Sequence, residues 1–587
     1  MNATDQHDPA AAARSRACFL AAVGAAAVGV VFSAFVAYRM IDAHGRMVAS
    51  NPKTVAEILE RREAIVAHPD DMQLPEAFRK REQLLRTEFL RAQHVMSTGA
   101  YLLAGGLIVA LAGAVTARGY RTRLPYPGPA ADGRAVDSFN AAVGRWAALG
   151  LVVALVASAL GLVVLSDPVA VLTPSGGAPD GSGAVDEGPP HIPDPKDVAR
   201  NWASFRGPGG AATSAYANIP ADWDAPTGKG ILWRAPLPLE GKSSPVLWDK
   251  RLFLTAADKT QRLVMGFDAD TGKELWRCAV RVPGPPSPVP DVPRDTGYAP
   301  CTPVTDGKHV VAMFPNGDLA GVDDQGKQLW ARNLGKPDNG YGHGSSLAMW
   351  QDRTLVLFDQ GALEDGKSRL LAFSSRSGKL LWARPRPVGA SWASPVVVNA
   401  AGKDQVLTSA DPWVIAYAPA DGTELWRVKC MTGDVASSPI LAAGTVFVVH
   451  ESADLVAIRP DGAGDVTRTH VAWKGEEGLP DITSPVSNGK QLWLLTTNGD
   501  LTCYDVKTGK MLYLKELDEA FNSSPSIVGD QLWLMSLKGT TMMIAAGPEY
   551  RLLNTCKLGE RIFASAVFAD GRLYLRGHKN LYCIGAK

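Results

Sequence analysis

The chain has 587 residues, which is long enough for several domains or for one large ring of β-strands. Its 60 Lys and Arg residues nearly balance 59 Asp and Glu residues, so no overall basic field favours nucleic acid, and we expect no nucleic acid partner. Apolar residues are concentrated in three runs rich in Ala, Gly, Val and Leu within the first third of the chain.

These three runs lack charged residues and are about as long as the apolar core of a bilayer requires. They cover about residues 17–38, 97–117 and 146–165, and we predict three transmembrane helices in a membrane region over residues 1–165. A cleaved signal peptide is the alternative for the first run, because Arg14 and Arg16 precede it.

The positions of basic residues predict the orientation of the membrane region. Arg118, Arg121 and Arg123 follow the second run and Arg145 precedes the third, which favours a cytoplasmic location for residues 118–145. We therefore predict a protein of the bacterial inner (cytoplasmic) membrane with its C-terminal two-thirds on the periplasmic side. Residues 53–95 have apolar residues at helical spacing and predict an extracytoplasmic helical hairpin. Residues 166–200, rich in Pro, Gly, Ser and Asp, predict a flexible linker.

A sequence repeat begins beyond the linker. Each copy starts with a phrase similar to Ser-Ser-Pro, which is followed by a short apolar strand, a turn and a strand of alternating apolar and polar residues. Eight copies are spaced by about 40 to 58 residues, a period typical of propeller blades. They start at Ser243, Cys301, Ser345, Ala393, Ser437, Thr483, Ser523 and Ala564. We predict an all-β fold over residues 201–587, an eight-bladed β-propeller with four-stranded blades.

A second phrase, such as FDADTGKELW from Phe267, predicts the turn from the third to the fourth strand of a blade. Its last residue is an aromatic on the fourth strand, which we expect to dock against the neighbouring blade. This aromatic column contains Trp233, Trp276, Trp330, Trp382, Trp426 and Tyr513, and Trp473 fits it less clearly.

Two further patterns concern how the ring is assembled. A column of small or soft residues on the third strand predicts interdigitation between neighbouring blades. Its members are Gly266, Gly321, Ala372, Ala416, Ala457, Cys503, Met543 and Cys583. The last copy lacks a fourth strand, and ILWRAPLP (Ile231–Pro238) has the fourth-strand pattern, so we predict that this N-terminal strand closes the ring.

These repeats resemble the PQQ-like β-propeller repeat family, and NWASFRGPGG (Asn201–Gly210) is similar to the opening of many of its members. The resemblance covers residues 200–587 and implies the fold. It implies two kinds of function, since the family contains quinoprotein dehydrogenases as well as cofactor-free proteins similar to BamB, the assembly lipoprotein of the outer membrane. A dehydrogenase of the family would require PQQ, a Ca²⁺ ion and a catalytic Asp. The absence of adjoining cysteines and the short loops favour the cofactor-free alternative.

Side chains that precede each first strand are candidates for a ligand or partner site at the central funnel. They are Lys242, Tyr298, His343, Trp392, Asp434, Asp481, Asn522 and Arg561. Polar residues that merely solvate the mouth of a channel are the alternative. Asp434 and Asp481 offer part of a Ca²⁺ site, but two carboxylates do not make one. We assign no catalytic residue and no metal ligand.

We therefore predict a membrane-anchored scaffold that binds a protein of the cell envelope without a cofactor, with a PQQ-dependent dehydrogenase of alcohols or sugars as the alternative. The Pro-rich segment Arg281–Pro300, with Tyr341, His343 and Trp392 beside it, is the predicted contact surface. Disulfides among Cys278, Cys301, Cys430 and Cys556 are left open.

The predicted orientation can be tested with an impermeant thiol reagent on intact cells. We expect a cysteine introduced by Ala130→Cys to be shielded, because residues 118–145 are predicted to be cytoplasmic, and one introduced by Ser175→Cys to be labelled. The opposite labelling pattern would show that the orientation is reversed.

Overall fold

The computed structural model describes residues 190–284, 289–294 and 296–586, together with scattered residues within 26–44 and 103–118. The chain divides into two compact units, Met1–Gly181 and Ser182–Lys587. The residues described in the first unit are helical. No helix in the described part of the chain is both long and apolar enough to cross a membrane. Three predicted segments lie outside the described residues: the third span, the hairpin over 53–95 and linker residues 166–189. The three membrane spans stay a prediction.

The described part of the second unit forms an eight-bladed β-propeller, as predicted. It begins with a short helix α1 (Pro195–Arg200) and strand β1 (Ile231–Pro236). Blades 1 to 4 follow in chain order. Blade 1 contains β2 (Val246–Trp248), β3 (Arg251–Ala257), β4 (Arg262–Asp268) and β5 (Glu274–Ala279). Blade 2 contains β6 (Val304–Thr305), β7 (His309–Met313), β8 (Asp318–Asp323) and β9 (Gln328–Asn333). Blade 3 contains β10 (Ala348–Trp350), β11 (Arg353–Phe358), β12 (Arg369–Ser374) and β13 (Leu380–Pro385). Blade 4 contains β14 (Val396–Ala400), β15 (Lys403–Ala410), β16 (Trp413–Tyr417) and β17 (Glu424–Lys429).

The other four blades complete the ring. Blade 5 contains β18 (Ile440–Ala442), β19 (Thr445–Val448), β20 (Leu455–Ile458) and β22 (Val471–Gly475), and its β21 (Gly464–Asp465) adds a fifth strand to the edge of blade 4. Blade 6 contains β23 (Val486–Ser487), β24 (Gln491–Leu495), β25 (Asp500–Asp505) and β26 (Met511–Glu516). Blade 7 contains β27 (Ser526–Val528), β28 (Gln531–Met535), β29 (Thr540–Ala545) and β30 (Leu552–Lys557). Blade 8 contains β31 (Val567–Ala569), β32 (Arg572–Arg576), β33 (Asn580–Gly585) and β1.

The N-terminal strand closes the ring, as the sequence predicted. Strand β1 pairs antiparallel with β33, with Trp233 opposite Cys583 and Pro236 opposite Asn580. The pairing supplies the fourth strand that the last repeat lacks and covers the edge of β33.

The alternating strand directions define two faces of the ring. The connections from the fourth strand of one blade to the first strand of the next share one face, which we call the funnel face. The turns between first and second strands, and between third and fourth strands, lie on the opposite face. Buried apolar side chains fill the space between neighbouring blades; for example, Phe253 of blade 1 packs in one cluster with Val310 and Phe314 of blade 2.

In four of the blades, a tryptophan of the aromatic column docks the blade against the next one. The Trp276 indole of blade 1 donates a hydrogen bond to the carbonyl of Asp324 at 3.0 Å. The same ring lies on Gly326 of the blade 2 turn, where a Cβ would come within 2.6 Å of it. Gly326 also has a φ of 85°, which the turn requires. Equivalent indole-to-carbonyl bonds are made by Trp233, Trp330 and Trp473 at 2.9 to 3.0 Å.

The small column has a second role besides the predicted packing between blades, which is seen where Ala372 of blade 3 lies in one cluster with Tyr417 of blade 4. Gly266 pairs across the strands with Trp276, and Gly321 pairs with Trp330. A Cβ on Gly266 would lie 2.4 Å from the indole. Except for Met543, which stands opposite Asn554, each member of the column therefore pairs with the aromatic of its own blade. Cys503 and Cys583 occupy this column as fully buried small residues, and the six cysteines in the described part of the chain are free thiols.

The segment before β1 crosses the end of the channel on the opposite face. Trp202 and Leu247 of blade 1 exchange two backbone hydrogen bonds, at 3.0 and 2.9 Å. Farther along the segment, the backbone of Ile527 in blade 7 donates to Ala212 at 2.9 Å. Between these contacts, the buried Arg206 donates from Nη2 to the carbonyl of Pro485 next to blade 6 at 2.5 Å. The segment therefore connects blades that do not adjoin in the ring.

A closed belt of hydroxyl groups surrounds the central channel. In each blade, the backbone N–H of a Ser or Thr just before the first strand donates to the hydroxyl of the equivalent residue in the next blade. The eight donor-to-acceptor distances are 2.9 to 3.2 Å. The belt consists of Ser244, Thr302, Ser346, Ser394, Ser438, Ser484, Ser524 and Ser565, all of them buried. It joins every blade to its neighbours, including blade 8 to blade 1.

We expect Ser438→Ala to destabilise the propeller by about 1–3 kcal/mol, because the buried N–H of Ser394 would lose its acceptor. The matched control is Ser437→Ala, since the Ser437 hydroxyl is equally buried but has no hydrogen-bond partner. Denaturant unfolding of the full chain, followed by tryptophan fluorescence, measures both. Equal unfolding midpoints for the two variants would show that the belt does not stabilise the ring.

Candidate functional site

The candidate residues from the sequence lie on the funnel face, because each one precedes the first strand of a blade or belongs to the loop before it. Most are partly exposed: Lys242, Tyr298, Tyr341, Trp392, Asp481, Asn522 and Arg561 are half-buried, and Asp434 is exposed. The structure separates them into an aromatic group, an acidic group and a basic group.

Tyr341 and Trp392 form the aromatic group at blades 3 and 4. Their ring centroids are 5.0 Å apart in an edge-to-face arrangement. The Trp392 indole donates to the carbonyl of Gly342 at 3.2 Å. Gly342 has a φ of 72°, and a Cβ there would lie 3.0 Å from Val292 of the Pro-rich segment. We call Val292, Tyr341, Gly342 and Trp392 the aromatic ridge.

The Pro-rich segment is fastened at its start. The backbone N–H of Arg281 donates to the side chain of Gln328 at 2.9 Å, and Gln328 donates back to the carbonyl of Arg281 at 2.8 Å. Residues 285–288 and 295 of this segment lie outside the described residues. Its described part therefore joins blade 2 at one end and reaches the aromatic ridge at Val292.

A buried ion pair, which the sequence analysis did not predict, fixes the loop that carries Trp392. Arg386 binds Asp359 with two contacts, Nε to Oδ1 at 2.8 Å and Nη2 to Oδ2 at 3.1 Å, and both side chains are fully buried. Arg386 also donates to Thr408 at 2.6 Å and to Tyr417 at 3.1 Å. The hydroxyl of Ser391 donates to Asp359 at 2.8 Å. Because Ser391 adjoins Trp392, this network holds the backbone from which the indole projects.

His343 is not on the exposed part of the ridge, in contrast to the predicted contact surface. Its side chain is buried beside Phe358, with ring centroids 5.7 Å apart, and its Nε2 has no hydrogen-bond partner. Burial lowers the pKa of His343 to about 4. The ring is therefore neutral near pH 7 and belongs to the core beneath the ridge.

The acidic group lies on blades 4 to 6. Asp434 and Asp481 are both close enough to His450 to affect its pKa, which burial nevertheless lowers. Asp411 accepts a hydrogen bond from the N–H of Gly433 at 3.2 Å, and burial raises the pKa of this carboxyl. The Asp481 carboxylate accepts from the hydroxyl of Thr497 at 3.0 Å.

The acidic group does not fit a Ca²⁺ site of the kind that a PQQ dehydrogenase requires. Such a site needs about six to eight oxygen ligands. Within 190–284, 289–294, 296–586 and the scattered described residues before them, no three His, Cys, Asp or Glu side chains are arranged to hold a metal ion. No reaction step is derived from Asp434 or Asp481.

The basic group lies at blades 8 and 1, across the ring from the acidic group. The Lys242 ammonium is 3.4 Å from the centre of the Phe563 ring, and the Arg561 guanidinium is 5.1 Å from it. The buried Arg576 lies nearby, donating to the hydroxyl of Ser243 at 2.6 Å. Of these four residues, only Lys242 and Arg561 were predicted from the sequence.

The eight blades, the indole joints and the closing strand define the class of propellers built from PQQ-like repeats. A family profile described as "Outer membrane protein assembly factor BamB" matches residues 212–361 and 366–524, which is more than half of the chain. The chain belongs to this family.

Individual relatives match over part of the chain. The curated "Outer membrane protein assembly factor BamB" of Burkholderia pseudomallei (strain K96243) is 27% identical over 278 residues, which cover 47% of this chain and 66% of that protein. The chain thus covers just under two thirds of that relative. The crystal structure of BamB from Moraxella catarrhalis is 13% identical, covering 60% of this chain and 99% of that one, with a TM-score of 0.46. A europium-containing methanol dehydrogenase is 12% identical, covering 66% of this chain and 99% of that one, with a TM-score of 0.50. At this identity the likeness shows the fold alone.

We expect His343→Phe to reduce the acid sensitivity of the protein. The pKa of His343 lies near 4 in the folded chain, against an ordinary value of 6.5, so the unfolded chain binds the proton first as the pH falls below about 6.5. The free energy of unfolding of the wild type therefore decreases as the pH falls from about 6.5 towards 4, by roughly 2 kcal/mol at pH 5. The variant has no imidazole at this position and should not show this decrease.

Denaturant unfolding at pH 7.5 and pH 5 measures the difference. Phe358→Leu is the control, since it perturbs the same packing without changing a titratable group, and its effect should be equal at both pH values. Parallel pH dependence of the wild type and His343→Phe would contradict the assignment of a neutral buried imidazole.

Proposed function

We propose that this propeller is a scaffold of the bacterial cell envelope that binds a partner protein on its funnel face, with the aromatic ridge as the centre of the contact. The observation that carries the proposal is the pre-organised Trp392. Its loop is fixed by the fully buried Arg386 and Asp359, while the indole itself stays half-buried at the surface.

Pre-organisation favours binding because a side chain that is already ordered loses little conformational entropy on association. Tyr341 and Trp392 are residue types that commonly dominate interface energies. The described part of the Pro-rich segment extends the ridge over Val292. The acidic and basic groups on either side supply charges that orient a partner of complementary pattern.

The family supports an envelope location and a protein partner, since its description is that of an outer membrane protein assembly factor. We propose that this chain acts in the same compartment, held to the inner membrane by the three predicted helices with the propeller on the periplasmic side. Binding of this kind needs no cofactor, and we propose none. A PQQ-dependent dehydrogenase remains the alternative.

Site-specific photo-crosslinking in cells tests the proposal. We expect a photoreactive residue at Tyr341 to capture one defined partner, and Trp392→Ala to abolish that capture, because loss of a central tryptophan costs roughly 2 kcal/mol or more, about thirtyfold in Kd. The matched control is Trp350→Ala, which removes a half-buried tryptophan at the end of β10 on the opposite face.

Capture that persists in Trp392→Ala, or that is lost equally in Trp350→Ala, would contradict docking on the aromatic ridge. Dye reduction that depends on added PQQ and Ca²⁺, and that disappears in Asp434→Asn or Asp481→Asn, would instead establish the dehydrogenase.

A further inference from the structure

The funnel-face connections of blades 3 to 6 carry a strong excess of negative charge. The links between second and third strands share this face with those between fourth and first strands. From Asp359 to Pro525 these connections contain twelve Asp or Glu residues but only two Lys or Arg residues. Both basic side chains are already paired, Arg386 with Asp359 and Lys367 with Asp338 at 2.6 Å. In the funnel-face connections of the other four blades, basic residues outnumber acidic ones. A protein that docks across blades 3 to 6 therefore faces carboxylates.

The aromatic ridge adjoins this negative surface through the loop that carries Trp392. The N–H of Trp392 donates to the carbonyl of Val435 at 2.8 Å, and Asp434 is the preceding residue. The N–H of Gly389, in the same loop, donates to the carbonyl of Asp411 at 3.1 Å. The loop that positions the half-buried indole is therefore bonded directly to the two segments that carry these carboxylates.

An exposed apolar residue lies next to the same loop. The N–H of Ala390 donates to the carbonyl of Gly361 at 2.9 Å, which joins the loop to the short 3₁₀ turn Leu363–Asp365. In this turn Leu363 is 42% exposed, and Glu364 is exposed as well. The surface beside the ridge thus offers apolar and anionic groups together.

The carboxylates beside the loop lie close enough together to repel one another. Burial raises the pKa of the Asp411 carboxyl, and the charges of Asp434 and Glu364 raise it further, although a hydrogen bond from Gly433 and the charge of Lys429 lower it. A cation brought to this surface relieves the repulsion among these carboxylates. The faces of the aromatic rings on the ridge attract cations as well.

We propose that the partner docking on the aromatic ridge presents a basic protein segment. Its Arg or Lys side chains bind Glu364 and Asp434, and an apolar side chain packs on Leu363 and Trp392. Docking of this kind rests on the proposed function, to which it adds the chemistry of the partner. Charge complementarity decides the choice, since an acidic or neutral partner would cover these carboxylates without compensating their charge.

Fluorescence anisotropy of labelled peptides with the purified full-length chain tests the charge requirement. The probe is a short Gly-rich peptide containing Arg and Leu, and the comparison peptide has Glu in place of each Arg. We expect saturable binding of the Arg peptide alone. Glu364→Gln combined with Asp434→Asn should weaken this binding roughly fivefold, because two exposed ion pairs are lost. Trp392→Ala should weaken it roughly tenfold, because the central aromatic contact is lost.

The matched control is Asp530→Asn combined with Glu549→Gln, which removes two exposed carboxylates from turns on the opposite face. It should bind the Arg peptide as the wild type does. Lack of saturable binding, equal or tighter binding of the Glu peptide, unchanged affinity after loss of Glu364 and Asp434, or an equal loss in the control would overturn the proposal.

Photo-crosslinking at Tyr341 separates a failure of this proposal from a failure of the proposed function. Capture of a partner that requires Trp392, yet persists undiminished in the Glu364→Gln and Asp434→Asn double variant, would overturn the basic segment and leave the scaffold function standing. Capture that does not require Trp392 would overturn the proposed function itself. A captured species that proves to be a second copy of this chain would also overturn the proposed partner.

Discussion

The belt of hydroxyl groups around the channel is the interaction on which the rest of the propeller depends. Eight blades can stand as a ring only if each inner strand is fixed relative to its neighbours, and the inner strands here are short, with two residues in β6 and β23. So few residues make few ladder hydrogen bonds. The belt supplies a bond between blades at the same height in every blade, and it closes on itself between Ser565 and Ser244. Because these bonds are buried, each donor would remain unmet if one hydroxyl were lost.

The contacts between neighbouring blades at the outer, fourth strands also follow a repeated pattern. In blades 1, 2, 5 and 8 an indole covers a small residue of its own blade, bonds to a carbonyl of the next blade, and lies on a turn glycine. In blade 3 the Trp382 indole lies on Gly422 without a hydrogen-bond partner, and blade 6 has Tyr513 in place of an indole. Blade 4 departs from this pattern, since Trp426 is fully buried and bonds to Gln405 of its own blade at 2.8 Å, while β21 covers the outer strand. Blade 7 departs as well: Asn554 stands opposite Met543 and bonds to the carbonyl of Ala221 at 2.7 Å. The segment before β1 thus takes the place of an indole where the repeat has none.

The sequence was sufficient to predict the propeller fold because the signals of its blades are local and repeated. Turn glycines and the aromatic column recur at a fixed spacing along the chain. The last repeat lacks the fourth strand that this spacing predicts, and ring closure by Ile231–Pro238 follows from that absence. The small column has a second role, beside the aromatic of its own blade, that the pattern did not predict. Gly266 and Trp276 are ten positions apart in the chain and pair only once β4 and β5 have formed a hairpin, so the pattern alone did not show that one makes room for the other.

The sequence predicted which face of the propeller carries the candidate residues. It did not predict which of them are exposed or which distant residues they contact. Position before a first strand is enough to place Lys242 or Trp392 on the funnel face. It does not reveal burial, which separates His343 from Tyr341 although they are two residues apart. It also does not reveal partners brought together from distant strands. Arg386 and Asp359 are 27 residues apart, and Arg576 meets Ser243 across 333 residues. These buried arginines look like surface residues in the sequence, because only the assembled ring encloses them.

The charged candidate residues of the funnel face are unevenly distributed around the ring. Asp411, Asp434 and Asp481 lie at blades 4 to 6, whereas Lys242, Arg561 and Arg576 lie at blades 8 and 1. Under the proposed function, charges of opposite sign on opposite sides of the ring would favour one orientation of a partner protein, whereas charges of one sign would favour none. The aromatic ridge occupies the arc between the two groups, so an approaching protein aligned by the charges would present one fixed surface to Trp392. At physiological ionic strength this guidance acts only within about 8 Å, which makes it effective at the last stage of docking. The rigid belt and joints keep the three groups at fixed separation, and the pattern of the face is therefore a property of the whole ring.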